Sequence, residues 1–190
     1  MKALAPRRAG LLLALLQAGL LLSLGAVVLI DRARLPRAWG RVTRIDPDLP
    51  IRGRYVSLTL LVPAPQLPAP DPAIERGGSW QTVTLVARAG RLEAIAAPQA
   101  PRWAGTRHQA RIERVDGTVM ARLNTPLAYF IPPQAADPSW RPAGEELWVE
   151  VSLPGEGAPR PIRLGVRRAT SPDGTTAPVL PLTLTPRRGG

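Results

Sequence analysis

The chain has 190 residues, enough for one domain plus a membrane segment, with 45% hydrophobic side chains and a formal net charge of +11 at pH 7. Its 17 Gly and 23 Pro together exceed a fifth of the chain, against the usual ~12%. Proline at that density excludes a mainly helical domain, because each interior proline removes a backbone donor and clashes with the preceding turn. The charge comes almost wholly from arginine, since Lys2 is the sole lysine. Those arginines are scattered singly, apart from the pairs Arg7-Arg8, Arg167-Arg168 and Arg187-Arg188, and aromatic residues make up only 4%. Nucleic-acid binding calls for a clustered basic face with stacking rings, so no nucleic-acid partner is expected. The absence of cysteine removes disulfides, thiol nucleophiles and thiolate metal sites.

A basic head, residues 1–9, carries Lys2, Arg7 and Arg8. Gly10 to Ile30 then reads GLLLALLQAGLLLSLGAVVLI, with Gln17 and Ser23 its only polar side chains. At ~1.5 Å per residue this run gives a helix of about 31 Å, which matches a hydrocarbon core of ~30 Å. A cleaved signal peptide competes with a membrane anchor here, because Ser23-Leu24-Gly25 offers small residues at a suitable spacing. The run is longer than the usual ~7–15-residue apolar region of a signal peptide, and this favours an uncleaved anchor. Arg32, Arg34, Arg37, Arg41 and Arg44 just after the helix favour the opposite orientation, but a short basic head before the helix and a large domain after it predict a signal anchor with the domain outside the cytoplasmic membrane. Residues 31–45 read as a stalk, whose Arg32, Arg34 and Arg37, with Trp39, are expected at the headgroup level of the bilayer.

From residue 46 to residue 185 the pattern is β. Val56, Leu58, Leu60 and Val62 alternate with Tyr55, Ser57 and Thr59, a period-2 strand that ends at Pro63. Residues 63–78 carry five prolines and read as a surface loop of extended polyproline character. Gln81 to Ala87 is a second strand, and Ala89-Gly90 offers a turn into a third over Arg91 to Ala97. Arg111 to Val115, Asp116-Gly117, and Thr118 to Leu123 read as a β-hairpin, because Asp-Gly suits the positive φ angles of a type I′ turn. Leu127 to Ile131 is short and stops at Pro132-Pro133. Leu147, Val149, Val151 and Leu153 are expected inward, with Trp148, Glu150 and Ser152 outward. Pro161 to Val166 repeats the alternation. A last strand covers Val179 to Thr185, where Pro181 predicts an edge position, and residues 186–190 are a tail. Eight or nine short strands separated by turn signals predict an all-β sandwich or barrel after a single transmembrane helix.

The chemistry open to this chain is narrow. His108 is the sole histidine, which excludes a two-histidine zinc motif; flanked by Arg107 and Gln109, it reads as a surface residue. A Ser–Lys dyad would need Lys2, which lies across the anchor from any domain site. No phosphate-binding glycine loop is present, since Gly77-Gly78 and Gly189-Gly190 read as a turn and a tail. No cofactor, metal or catalytic residue is therefore expected. The pairs Asp46/Asp48 and Glu145/Glu146 offer carboxylates for acid–base or cation chemistry, but Asp46-Pro47 reads as a turn and Glu145-Glu146 as a solvated one, with no activating partner in sight.

Gly53-Arg54-Tyr55-Val56-Ser57-Leu58-Thr59-Leu60 resembles the signature of the GDYXXLXY proteins, a family of small membrane-anchored proteins. Glycine, tyrosine and the first leucine match, while Arg54 stands at the acid and Leu60 at the last tyrosine. The approach Asp46-Pro47-Asp48-Leu49-Pro50 and the later Leu127-Ala128-Tyr129-Phe130-Ile131-Pro132 are similar to other elements of that family. The resemblance implies a bacterial envelope protein that partners a multi-pass membrane protein, with Gly53, Tyr55, Leu58, Tyr129 and Phe130 as motif or interaction residues. The expectation is thus a non-enzymatic, membrane-anchored interaction module. The alternative is an envelope hydrolase that uses Asp46 or Glu146.

Overall fold

The apolar run folds as helix α1, Pro6–Arg34, with Pro6 at its first position, where the missing N–H costs nothing. Its leucines are exposed all round, from 56% at Leu12 to 74% at Leu22. A helix apolar on every side suits a lipid environment, and Gly10–Val27, at a mean hydropathy of 2.1, is long and apolar enough to cross a membrane. The structure, a computed structural model, describes residues 6–44, 55–70, 79–97, 106–132, 135–168 and 177–184. It divides into two units, Met1–Leu35 and Pro36–Gly190.

The second unit holds ten strands among the described residues: β1 Arg37–Arg44, β2 Tyr55–Pro63, β3 Ser79–Arg88, β4 Arg91–Ala96, β5 Arg107–Val115, β6 Thr118–Leu123, β7 Leu127–Phe130, β8 Glu145–Ser152, β9 Arg160–Arg168 and β10 Leu180–Pro181. Pairing runs β10-β9-β8-β1-β4-β3-β5-β6-β2-β7, and β1 also pairs with β2. That extra pairing closes β1, β4, β3, β5, β6 and β2 into a six-stranded barrel. The expected all-β fold is therefore a barrel, with β8, β9 and β10 extending from β1 and β7 extending from β2.

Two hairpins form where the turn residues predict them. Asp116 and Gly117 take φ of 50° and 77°, and Ala89 and Gly90 take 47° and 75°, the left-handed pair that matches the right-handed twist of the strands. The barrel interior is filled by alternate positions, among them Leu58, Leu60 and Val62 of β2, Val83 and Leu85 of β3, Leu92 and Ala94 of β4, and Ala110 and Ile112 of β5. Pro161 sits where β9 is irregular against β8: Glu150 pairs with Arg163 and Val151 with Pro161. Proline is tolerated there because the ladder skips a residue.

Three expectations change. The stalk over residues 31–45 is short, because α1 runs to Arg34 and β1 begins at Arg37. The alternation in β1 is carried by small residues: Ala38 and Val42 are buried, and a Cβ on Gly40 would lie 2.7 Å from Leu60 Cδ2 and 2.8 Å from Leu92 Cδ1. Such an inward glycine gives no hydrophobic signal, yet β1 is the strand that seals the barrel. Second, the proline-rich loop is not wholly a surface excursion. Ala64, Leu67 and Pro70 are buried, and Ala64 N–H donates to Val119 O at 2.9 Å; residues 71–78 lie outside the described set. Third, Trp148, Glu150 and Ser152, expected outward to solvent, are 5%, 9% and 3% exposed. Strand β8 is central, flanked by β1 and β9, and side chains from both neighbours cover its outer face.

Candidate functional site

Strand β2 pairs with β7 so that Tyr55 faces Phe130, Val56 faces Tyr129, Ser57 faces Ala128 and Leu58 faces Leu127. Period 2 then divides the motif between two faces. Leu58, fully buried, and Tyr129, packed against the same cluster, belong to the core; Leu58 is no contact residue for a partner. Tyr55 and Phe130 take the outer face, their rings edge to face with centroids 5.9 Å apart and planes at 63°. Phe130 is 79% exposed, well beyond what packing requires of an aromatic in a strand. Gly53 lies outside the described residues.

A second constellation, missed from sequence, lies on the outer face of β1, β8 and β9. In register order, Trp39, Glu150 and Arg163 form one row, and Arg41, Trp148 and Gly165 the next. Glu146 and Arg167 are opposite one another beyond them. Arg163 Nε donates to Glu150 Oε2 at 2.6 Å, and its guanidinium stands 5.4 Å from the centre of the Trp39 ring. Glu146 has both oxygens engaged. Oε1 is 3.2 Å from Arg41 Nη1, while Oε2 accepts from Arg167 Nη2 at 2.8 Å and from Trp148 Nε1 at 3.1 Å. Arg167 also lies 4.3 Å from the Trp148 ring centre. Charge-assisted bonds of this kind fix side chains strongly, and planar guanidinium groups stack on indoles where ammonium groups do not.

This layer corrects two sequence readings. Trp39 belongs to β1 and not to a stalk: its ring lies over Gly165, so close that a Cβ there would be 2.7 Å from Trp39 Cζ3. Glu145-Glu146 is no solvated turn, for these residues open β8, and Glu146 is neutralised by two arginines. Of the other expected headgroup residues, Arg34 is exposed at the end of α1 and Arg37 pairs opposite Ser152. Arg32 lies in the last turns of α1, its side chain outside the described set, as is Asp46.

His108 is the third site, and it is not on the surface. It is 7% exposed, because it continues the inward phase of Ala110 and Ile112; that phase was the available signal. It pairs opposite Val83 and lines a crevice of about 10 Å³ with Leu85, Thr106, Leu153, Pro154, Gly157 and Pro159. Burial without a compensating charge pushes its imidazole below the ordinary 6.5. The space is of the order of one water molecule, too small for an organic substrate. Among the described residues no group of three or more His, Asp or Glu side chains converges on a metal position. Neither protein-family models, nor curated proteins, nor solved structures yield a match to this chain.

Proposed function

We propose that this protein is a single-pass, membrane-anchored β-barrel module that works by binding a membrane or envelope partner. The observation that carries the reading is the Tyr55–Phe130 pair, an aromatic cross-strand unit left on the outer face with Phe130 79% exposed. Exposed aromatics of this kind are favoured anchors of protein interfaces. The pair also falls on the two segments that resemble the GDYXXLXY family, whose members imply a multi-pass membrane protein as the partner. An apolar helix ahead of the barrel supports anchoring, and the basic head before it supports a domain on the outer side of the cytoplasmic membrane. The hydrolase alternative loses Glu146 to Arg41 and Arg167.

A photo-crosslinking amino acid placed at Phe130 in the full chain, in native membranes, tests this. A discrete adduct with a membrane protein from position 130, and none from Thr118 on another strand, is the expected result. Identical patterns from both positions would overturn the reading. Protease treatment of intact and opened spheroplasts tests the sidedness separately, with degradation of the barrel in intact spheroplasts expected.

A further inference from the structure

Helix α1 carries two polar side chains inside its apolar run, and they differ in how they are satisfied. Ser23 Oγ donates to Leu20 O at 2.8 Å, so its hydroxyl is paired within its own helix. Gln17 has no side-chain hydrogen bond among the described residues. It lies near the middle of Gly10–Val27, the stretch long and apolar enough to cross a membrane. At ~1.5 Å per residue Gln17 is about 10 Å along the helix from Gly10, further than its side chain reaches, so in a bilayer the amide cannot meet the headgroups. An unpaired amide in hydrocarbon is costly. A group on a neighbouring helix is the remaining source of a partner.

The positions around Gln17 form a seam for such a helix. Gly10, Ala14, Gln17, Leu21 and Leu24 alternate spacings of four and three, the repeat that keeps one face toward a neighbour over successive turns of a left-handed helix pair. A Cβ on Gly10 would meet nothing within 4 Å, and Leu21 and Leu24 are exposed, so nothing else in the chain covers this seam. Ser23, already satisfied, stands about 120° round the helix from Gln17, outside the seam.

We propose that α1 pairs in parallel with α1 of a second copy of this chain, through the two Gln17 amides. The inference rests on the anchored reading above and adds an assembly to it. A second copy inserts in the same direction, so it brings its own Gln17 to the same depth with no further requirement. A carboxamide holds both donors and an acceptor, so two amides related by a twofold axis can exchange hydrogen bonds. A different protein would need a polar group of its own at that depth and bearing. Gly10 and Ala14 let the backbones approach on one side of the amides, and Leu21 and Leu24 pack on the other. A single polar position in the seam then fixes the register.

The sequence holds no cysteine, so single cysteines report the contact. Purified full chain carrying Leu21→Cys, on the seam, or Leu16→Cys, about 140° round the helix from it, is reconstituted into phosphatidylcholine vesicles at high lipid dilution and oxidised with iodine. Position 21 is expected to give roughly fivefold more disulfide-linked dimer than position 16. Gln17→Leu in the Leu21→Cys chain should lower that yield by a similar factor, whereas Gln17→Asn, which keeps the amide, should retain most of it. Equal yields from positions 16 and 21 overturn the pairing. So does a yield that Gln17→Leu leaves unchanged, or that Gln17→Asn loses as fully as Gln17→Leu. These vesicles hold no other protein. No dimer in them, with crosslinks from position 21 to a different protein in native membranes, would give the seam to that protein and overturn self-pairing. Alkaline carbonate extraction of the vesicles separates the two readings: release of the chain overturns the anchored reading and the pairing with it, whereas retention without a face-dependent dimer overturns the pairing alone.

Discussion

Gly165 of β9 is the position where one methyl group tests the outer-face layer. A Cβ there would stand 2.6 Å from Val179 Cγ1 and 2.7 Å and 2.9 Å from Trp39 Cζ3 and Cη2. In Gly165→Ala the indole must lift and Val179 must shift, which also draws the ring away from Arg163. Overpacking of this kind costs about 1–3 kcal/mol, while replacing a strand glycine by alanine returns about 0.5–1 kcal/mol. The net expectation is a destabilisation of about 1–2 kcal/mol. For a domain of this size that lowers the Tm by about 2–8 °C. Circular dichroism of the full chain in detergent micelles, followed in the β-sheet band, measures it. Trp39→Phe in the same background supplies the internal control, because a smaller ring makes room. The double variant should lose less than the sum of the two single losses, a coupling of about 0.5 kcal/mol or more. Stability of Gly165→Ala at or above that of the parent chain, or strict additivity with Trp39→Phe, would refute the packing argument.

The other predictions concern charge and exposure. His108 is buried with its pKa lowered from 6.5, so the unfolded chain binds its proton first. Stability is fully present above pH 6.5 and is lost as the pH falls toward the folded-state value, with a slope of up to about 1.4 kcal/mol per pH unit. His108→Gln should flatten urea-unfolding stability between pH 6.5 and pH 5.5, and an unaltered slope would refute the assignment. Glu146→Ala leaves Arg41 and Arg167 facing each other without their anion, at an expected cost of roughly 2–3 kcal/mol. Glu146→Gln, which keeps the acceptor, should cost less in the same unfolding assay. Phe130→Ala should change stability by under about 0.5 kcal/mol, because an exposed ring has little packing to lose, while lowering the yield of partner adduct from a photo-reactive residue at Ala128, exposed on the same face of β7; a large fall in Tm would place the ring in the fold and not in an interface.

Much of this fold is legible without coordinates, and the misses share a cause. Asp116-Gly117 and Ala89-Gly90 announce their hairpins because positive φ is a local steric property. Strands β2, β3 and β8 announce themselves by alternation. Strand β1 does not, since Ala38 and Gly40 are small where the barrel interior is tight, and its arginines look like a solvated stalk. His108 looks like a surface residue from its polar neighbours, although Ala110 and Ile112 set its phase inward. The aromatic site was half legible: Tyr55 and Phe130 stand out in sequence, but the division of Leu58 and Tyr129 to the inner face follows only from the β2–β7 register.

Sequence by itself determined the apolar helix, the all-β class and the turns, because these depend on side chains within a few residues of one another. Tertiary structure decided the rest. Closure of β1 on β2 and β4 makes a barrel of what could have been a sandwich. It also lays Trp39 across Gly165 and gives Glu146 two arginines. Each of these brings together residues far apart in the chain, through strand register and barrel closure, and no local periodicity encodes such pairings.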